Sequence, residues 1–182
     1  MCVSTFNKYE NRKKLFYIKS FSIFIIIFAA QMEKTEQQQR EDEQMMRRAL
    51  DEARTAMAKD EIPIGAVITC KGRIIARAYN LTETLCDVTA HAEMQAITMA
   101  ASALGGKYLT DCTLYVTVEP CPMCAGAIGW AQIPRVVYGA PDPKRGYREY
   151  APRVLHPKAT VTGGILEDEC RELMQEFFRK KR

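Results

Sequence analysis

Residues 113–131 read TLYVTVEPCPMCAGAIGWA, and this stretch decides the fold. Its first part, 113–118, is a run of mostly β-branched and aromatic residues, which predicts a strand buried in a sheet. Its second part, 120–131, is rich in small residues, which predicts a helix packed closely against its neighbours. A strand followed at once by a helix is the basic unit of α/β proteins.

The segments on either side continue this alternation. Lys71-Gly72 joins two β-rich runs and indicates a hairpin. We predict helices at 45–58, 90–103, 120–131 and 167–182, and strands at 64–70, 73–79, 113–118, 135–139 and 159–162. Strands that alternate with helices in this way predict a three-layer α/β/α sandwich around one mixed sheet of about five strands.

The composition supports a folded domain of this class. The chain has 182 residues, 47% of them hydrophobic and 26% charged, which excludes collagen-like, coiled-coil and wholly disordered proteins. The net charge of +4 comes from residues 1–31, which contain five basic residues and one acidic residue, so the rest of the chain has no net charge. Residues 135–182 carry 11 basic and seven acidic residues, so an argument for nucleic-acid binding must rest on local charge.

The first 44 residues differ from the rest of the chain. Residues 21–30, FSIFIIIFAA, are too few for a membrane span, which needs about 20 apolar residues, and we expect no stable membrane association. With the basic residues before them they superficially resemble a secretory signal; the alternative is that translation starts at Met32. We therefore predict a leader or upstream extension at 1–31, a polar and frayed lead-in at 32–44, and a folded domain at 45–182.

The seven cysteines do not indicate a disulfide framework, because their number is odd and their spacing is not that of small secreted domains. Four of them lie among apolar residues or near element ends, and we interpret them as small buried side chains: Cys70, Cys86, Cys112 and Cys170. Cys121 and Cys124 form a C-x-x-C motif at the start of a predicted helix. That position is typical of either a redox pair or a metal site.

His91 favours the metal site. It is one of only two histidines, and it lies two residues before Glu93 at the start of the predicted helix 90–103. If the two helix starts meet, His91, Cys121 and Cys124 provide three protein ligands and leave one open position, as in catalytic zinc sites. Two thiolates and one imidazole also select zinc over harder ions.

Two alternatives to a catalytic zinc stay open. A structural zinc needs a fourth protein ligand, which would be His156 or Cys86 folding back towards the cluster. A redox pair would leave His91 and Glu93 without a role. We otherwise interpret His156, which precedes Pro157 in a predicted loop, as an ordinary surface histidine.

The order H-x-E followed by P-C-x-x-C resembles the signature of the zinc-dependent nucleobase deaminases. The resemblance extends over residues 42–182, where the sequence is similar to the bacterial tRNA-specific adenosine deaminases. It implies the cytidine deaminase-like fold and a cytoplasmic homodimer. It also implies one Zn²⁺ per subunit, held by His91, Cys121 and Cys124.

The same resemblance implies a reaction. The substrate would be adenosine in the first anticodon position of tRNA, which becomes inosine. Zinc lowers the pKa of a coordinated water molecule to about 7. Glu93 would take the proton of this water and pass it to the ring nitrogen, and would then protonate the departing amino group. The residues implied to bind the base are Asn80, Ala92 and Pro120.

The predicted contacts with the tRNA anticodon stem-loop lie in the last quarter of the chain: Asp142, Lys144, Arg145, Arg179, Lys180, Lys181 and Arg182. In the loop 141–150, PDPKRGYREY, the family pattern is kept at Asp142, Lys144 and Gly146 and departs at their neighbours. Gly129-Trp130-Ala131 is similar instead to guanine deaminases. The alternative function is therefore deamination of a free nucleobase or nucleotide of the guanine or cytosine type. A zinc-stabilised binding module without activity is a third class, against which Glu93 argues.

Overall fold

A computed structural model describes the backbone of residues 3–181 and the side chains of residues 30–181. Its contacts divide the chain into two units, Met1–Glu41 and Asp42–Arg182. The predicted leader at 1–31 lies almost entirely outside the described side chains. In the part of the chain that is described, no helix is long and apolar enough to cross a membrane.

The first helix, α1, runs Val3–Ala58, so the predicted helix at 45–58 is its last part. The predicted frayed lead-in at 32–44 is helical instead. Its residues 33–44, EKTEQQQREDEQ, contain neither glycine nor proline and consist largely of good helix formers. From Asp42 onward α1 buries one face, on which Met46, Ala49 and Leu50 recur at helical spacing.

Five strands form one mixed sheet, as the sequence predicts. In chain order they are β1 (Gly65–Cys70), β2 (Arg73–Tyr79), β3 (Cys112–Val118), β4 (Arg135–Ala140) and β5 (Thr160–Thr162). Their spatial order is β2-β1-β3-β4-β5; β1 is antiparallel to both of its neighbours, and β3, β4 and β5 are parallel. Because Ala66 is paired with Val116, the start of β1 and the end of β3 lie at the same edge of the sheet, which we call the site edge.

Four further helices complete the fold: α2 (Ala92–Leu104), α3 (Pro122–Trp130), α4 (Tyr147–Tyr150) and α5 (Glu167–Lys180). Helices α2 and α3 each begin two residues later than predicted. The reason is that His91 and Cys121 keep an extended backbone, with ψ of 154° and 167°, and occupy the cap positions. The single turn of α4 lies inside the loop 141–150, where the sequence predicts no helix.

Successive side chains of each strand point to opposite faces of the sheet, and this alternation divides the core into two layers. Ala66 of β1 and Val116 of β3 belong to the layer that packs against α2 and α3. Their chain neighbours Val67 and Tyr115 belong to the layer that packs against α1 and α5. The predicted three-layer sandwich is therefore confirmed.

A buried polar cluster ties α1 to the sheet. Arg135, at the start of β4, donates to both carboxylate oxygens of Asp42, with Nη1–Oδ1 and Nη2–Oδ2 distances of 2.8 and 2.7 Å. The Tyr115 hydroxyl donates to Asp42 Oδ1 at 3.3 Å. Burial, together with the charge of Asp42, raises the pKa of Tyr115 to about 12. The cluster joins the beginning of the second unit to strands β3 and β4.

Candidate metal centre and active site

The candidate site lies where two helices begin. Strand β3 leads through Glu119 and Pro120 into α3, the loop after β2 leads into α2, and the two helices contact each other on one face of the sheet. His91 caps α2 and Cys121 caps α3. The free N–H groups and the dipole at each helix start favour negative charge at this point.

The three predicted metal ligands lie together. His91 Nδ1 is 3.4 Å from Cys124 Sγ and 3.7 Å from Cys121 Sγ, and the three ligand atoms all lie within 4.8 Å of one another. Zinc bonds of about 2.3 Å to sulfur and about 2.0 Å to nitrogen place the ligand atoms of a tetrahedron about 3.5–3.8 Å apart. The two N–S distances are close to these values, so the cluster fits a zinc ion.

A fourth protein ligand is missing among the residues that the structure describes, where the metal-binding group consists of His91, Cys121 and Cys124. Cys86 is exposed and its thiol contacts Glu83 O. His156 is exposed too, and its Nδ1 accepts the N–H of Lys158 at 3.2 Å. The alternative of a structural zinc therefore finds no support, and the three ligands leave a position for water or substrate.

Hydrogen bonds within the cluster favour a thiolate. A hydrogen bond from Cys124, followed by one from His91, lowers the pKa of Cys121 to about 4 although burial acts in the opposite direction. The same contact with Cys121 raises the pKa of Cys124 and of His91. Cys121 is consequently ionised at neutral pH, which is the form of cysteine that binds zinc.

Glu93 lies beside the ligands in the first turn of α2. Its side chain is only 3% exposed, and its Oε2 has no hydrogen-bond partner among the described residues. Burial raises the pKa of Glu93. Buried polar atoms are nearly always paired, so this free oxygen points to a partner that comes from outside the chain. A water molecule or a substrate nitrogen would supply it.

Two of the residues predicted to bind the base, Asn80 and Pro120, lie at the site edge, and the third, Ala92, begins α2. Asn80 follows β2 directly, is 2% exposed, and its N–H donates to Ile64 O just before β1. Pro120 is buried between β3 and the capping residue Cys121. Ala92 is the first residue of α2 and is fully buried.

Glu61 contacts Asn80, and no pattern in the sequence predicts a role for it. Its carboxylate is fully buried and accepts a hydrogen bond from Asn80 Nδ2 at 3.1 Å. In the sequence it is visible only as part of the Glu61-Ile62-Pro63 segment that ends α1. Nothing local distinguishes it from a surface glutamate, because its partners lie about 20 residues further along the chain.

Glu119 is a second buried glutamate that the sequence analysis does not identify. It accepts hydrogen bonds from Arg148 Nε and Nη2 at 3.0 Å each, and from the backbone N–H groups of Asp142 and Arg148 at 3.2 Å each. A Cβ atom on Gly146 would lie 2.5 Å from this carboxylate, so only glycine fits there. These contacts hold the loop 141–150 against the turn that carries Cys121.

The residues predicted to contact RNA lie in two places. In the loop, Asp142 Oδ1 accepts the backbone N–H groups of Lys144 and Arg145 at 3.0 Å each, and both basic side chains are exposed. In α5, Arg179 and Lys180 occupy the last turn, and Lys180 pairs with Glu176.

Lys181 follows α5 and pairs with Asp60 at 2.5 Å. Since Asp60 is the neighbour of Glu61, this contact places the end of α5 near the site edge. Arg182 lies outside the described residues.

Three protein ligands for zinc and a free buried glutamate serve hydrolytic chemistry. In a chain with the order H-x-E and then P-C-x-x-C, that chemistry is the removal of an amino group from a nucleobase. The class is that of the zinc-dependent nucleobase deaminases. The sequence profile described as the cytidine and deoxycytidylate deaminase zinc-binding region matches residues 39–140. The chain belongs to this family.

Named relatives agree with the predicted family. The chain is 49% identical over 142 residues to the tRNA-specific adenosine deaminase of Agrobacterium fabrum, which covers 75% of this chain and 93% of the relative. A solved structure from a study of A-to-I editing by tRNA:A34 deaminases at the wobble position of transfer RNA has a TM-score of 0.68 and 49% identity, over 71% of this chain and 98% of that one. A guanine deaminase from Nitrosomonas europaea has a TM-score of 0.67 and 26% identity, over 74% and 83%. The predicted family, fold class and zinc cofactor are confirmed.

Proposed function

We propose that this protein converts adenosine to inosine at the first anticodon position of tRNA, consuming water and releasing ammonia. The observation that carries the proposal is the free Glu93 carboxyl oxygen beside the cluster of His91, Cys121 and Cys124. The choice of tRNA is supported by 49% identity to a tRNA-specific adenosine deaminase.

The metal would be held by His91 Nδ1 and by the sulfur atoms of Cys121 and Cys124, with one Zn²⁺ per subunit. Bound there, zinc supplies a Lewis acid that lowers the pKa of a coordinated water molecule towards about 7. The thiolate of Cys121 and the two helix starts prepare this site for a cation and for an ionised ligand.

Glu93 would transfer the protons. Its free Oε2 would accept a proton from the attacking water and deliver it to the purine N1. It would then take the second proton of that water from the new hydroxyl at C6 and pass it to the amino group, which leaves as ammonia while the C6 oxygen becomes a carbonyl. Burial raises the pKa of Glu93, which favours its protonated form. A group that accepts and donates in one cycle needs both forms to be accessible.

The base would lie between Asn80, Ala92 and Pro120. Asn80 supplies the polar edge, since its amide is buried and held by hydrogen bonds. Ala92 and Pro120 supply small apolar walls next to the two capping ligands. Buried polar groups of this kind discriminate strongly, because a wrong base leaves them unpaired.

The RNA would be contacted by the exposed Lys144 and Arg145 and by the basic end of α5, where Arg179, Lys180, Lys181 and Arg182 follow one another. The contact between Lys181 and Asp60 supports this assignment, because it brings that end towards the pocket that contains Asn80. Asp142 would act by shaping the loop through its bonds to the backbone.

A homodimer would use the outer face of α2 and α3. Three large apolar side chains are exposed on these helices: Met99 at 47%, Met123 at 36% and Trp130 at 85%. Exposed apolar side chains of this kind mark an interaction surface. A second copy of the same face would cover them. Action on tRNA also supports a cytoplasmic location. The compact unit Asp42–Arg182 and the profile match at residues 39–140 support a deaminase domain at 45–182.

Deamination of free guanine is the second candidate. It is favoured by the similarity to a guanine deaminase and by the loop 141–150, in which Arg148 and the buried Tyr147 depart from the pattern of the tRNA enzymes. A pocket closed by this loop would admit a free base and exclude a polymer.

The test is incubation of the zinc-loaded protein with the arginine tRNA whose anticodon begins with adenosine, followed by sequencing. We expect an A-to-G change at that position, and none with Glu93→Ala. Ammonia release from free guanine and free cytosine is measured in parallel. Deamination of a free base with the tRNA untouched would overturn the proposal in favour of the second candidate.

A variant that starts at Met32 should retain full activity if residues 1–31 are a leader.

A further inference from the structure

The carboxylate of Glu61 is fully buried and accepts hydrogen bonds from several directions. Thr84 N donates to Oε1 at 2.7 Å, and Glu83 N donates to Oε2 at 3.2 Å. Asn80 Nδ2 donates to Oε2 at 3.1 Å, and the Thr82 hydroxyl contacts the same oxygen at 3.4 Å. A buried charge is tolerated when it is this well satisfied.

Hydrogen bonds keep this carboxylate ionised. Burial alone raises the pKa of Glu61, but the bonds from Thr84, Glu83 and Asn80 outweigh it and the pKa lies below its ordinary value. An ionised carboxylate can only accept hydrogen bonds.

The ionised carboxylate of Glu61 determines the orientation of the Asn80 amide. Because Glu61 cannot donate, Asn80 must turn Nδ2 towards it, and Oδ1 must point the other way. The second N–H of Nδ2 donates to Thr82 Oγ1 at 2.8 Å. No hydrogen bond to Asn80 Oδ1 is formed by a residue of the described chain.

An amide in this orientation matches one edge of adenine. Asparagine recognises adenine by accepting from N6–H and donating to N7, whereas guanine presents two acceptors, O6 and N7, at the same edge. Oδ1 of Asn80 would accept from the 6-amino group, and the N–H now given to Thr82 would donate to N7. An amide that could rotate would turn Nδ2 towards O6 of guanine and donate to it, so the preference for adenine would fall.

We propose that Glu61 is a positioning residue that fixes the Asn80 amide in the orientation that selects adenine. The proposal rests on the proposed function in that it takes a purine to be the substrate. Glu61 also accepts the backbone N–H groups of Glu83 and Thr84, so the same carboxylate holds both Asn80 and the loop that leads to His91.

The test compares Glu61→Gln with Glu83→Gln, which removes the same charge from an exposed side chain of the adjoining loop. Both are made in the zinc-loaded Glu93→Ala protein, so that binding is measured without turnover. The probes are anticodon stem-loops with adenosine or guanosine at the first anticodon position. We expect Glu61→Gln to reduce the preference for adenosine by roughly tenfold or more, and Glu83→Gln to leave it unchanged. An unchanged preference in Glu61→Gln would overturn the proposal.

A double-mutant cycle with Asn80→Ala separates positioning from general destabilisation. If Glu61 acts through Asn80, adding Glu61→Gln to Asn80→Ala changes the preference for adenosine no further. Additive effects would show that Glu61 acts independently of Asn80 and would contradict the proposal.

A readout that does not depend on the substrate keeps this inference distinct from the proposed function. The side-chain amide protons of Asn80, assigned by their absence in Asn80→Ala, should exchange slowly with solvent in wild type and in Glu83→Gln. They should exchange rapidly in Glu61→Gln. Failure of the wild type to act on tRNA would refute the proposed function alone, whereas unchanged protection in Glu61→Gln would refute the positioning role.

Discussion

His91 and Cys124 are 33 residues apart in the chain, yet His91 Nδ1 lies 3.4 Å from Cys124 Sγ. The contact joins the capping residue of α2 to the first turn of α3. It can form only after both helices have packed on the sheet. Binding of zinc at this point is therefore coupled to folding of the whole second unit.

Replacement of any one zinc ligand should release the metal and destabilise the protein. We expect His91→Ala, Cys121→Ala and Cys124→Ala each to lose stoichiometric zinc by elemental analysis and to lower the melting temperature. Cys86→Ala is the matched control, because Cys86 is an exposed cysteine outside the cluster and should keep its zinc. Full zinc content in one of the three variants would exclude that residue as a ligand.

Loss of the Glu93 carboxyl should abolish turnover and spare the metal. Glu93→Ala and Glu93→Gln are expected to retain one zinc per subunit and to lose at least about a hundredfold in activity, the lower range for a removed general acid–base. Elemental analysis and a deamination assay on the same samples check both parts. Activity within tenfold of wild type, or loss of zinc, would contradict the assigned role.

The Tyr115 hydroxyl should make stability depend on alkaline pH. The fold raises the pKa of Tyr115 to about 12, so the folded state keeps a proton that the unfolded state, at about 10, gives up. The contribution of Tyr115 to the free energy of unfolding is complete below pH 10. It is lost as the pH rises through 12, which lowers that free energy by about 2 kcal/mol. Urea unfolding between pH 9 and 12 should show a smaller decline for Tyr115→Phe than for wild type. An equal decline in both would exclude Tyr115 as its source.

Arg148→Ala should loosen the loop 141–150. The variant leaves the Glu119 side chain, which is 2% exposed, without its charged partner, and we expect the free energy of unfolding to fall by about 2 kcal/mol. Arg145→Ala removes the same charge from an exposed position three residues away and is the control. Proteolysis within the loop should accelerate in Arg148→Ala only. Equal stability of the two variants would show that the Glu119 contact contributes little.

The basic end of α5 should contribute salt-dependent affinity for tRNA. Replacing Arg179, Lys180, Lys181 and Arg182 by glutamine should weaken binding and reduce the slope of log Kd against log salt by up to about 3. Asn80→Ala should reduce turnover and leave that slope unchanged. Binding titrations at three salt concentrations check this prediction. A slope equal to that of wild type would remove these four residues from the RNA interface.

Strong local patterns were sufficient to predict most of the fold. The five strands agree with the structure to within about a residue at most ends, because apolar β-branched runs between turn residues are determined locally. The starts of α2 and α3 were predicted two residues early. Cys121 precedes Pro122, whose ring disfavours helical backbone at Cys121 and suits the first position of a helix, so the start of α3 is a local signal that the prediction did not use. No such local signal marks His91 as the cap of α2.

The two structural glutamates of the site could not be predicted. Glu61 is recognised as buried only once Thr84 and Asn80 are placed around it, and Glu119 only once Arg148 is. A glutamate read locally looks like a surface charge, since burial costs too much free energy without partners. The zinc ligands were predicted because their residue types and spacing carry the chemistry themselves.

The attachment of the loop 141–150 has a consequence for how this enzyme can diverge. Two of the bonds that Glu119 makes to the loop end on backbone N–H groups, which any residue other than proline provides. The ligands and Glu93 belong instead to two helix starts rooted in the sheet. Substitutions can therefore accumulate in the loop without detaching it, while the two helix starts that carry the reaction are inherited unaltered.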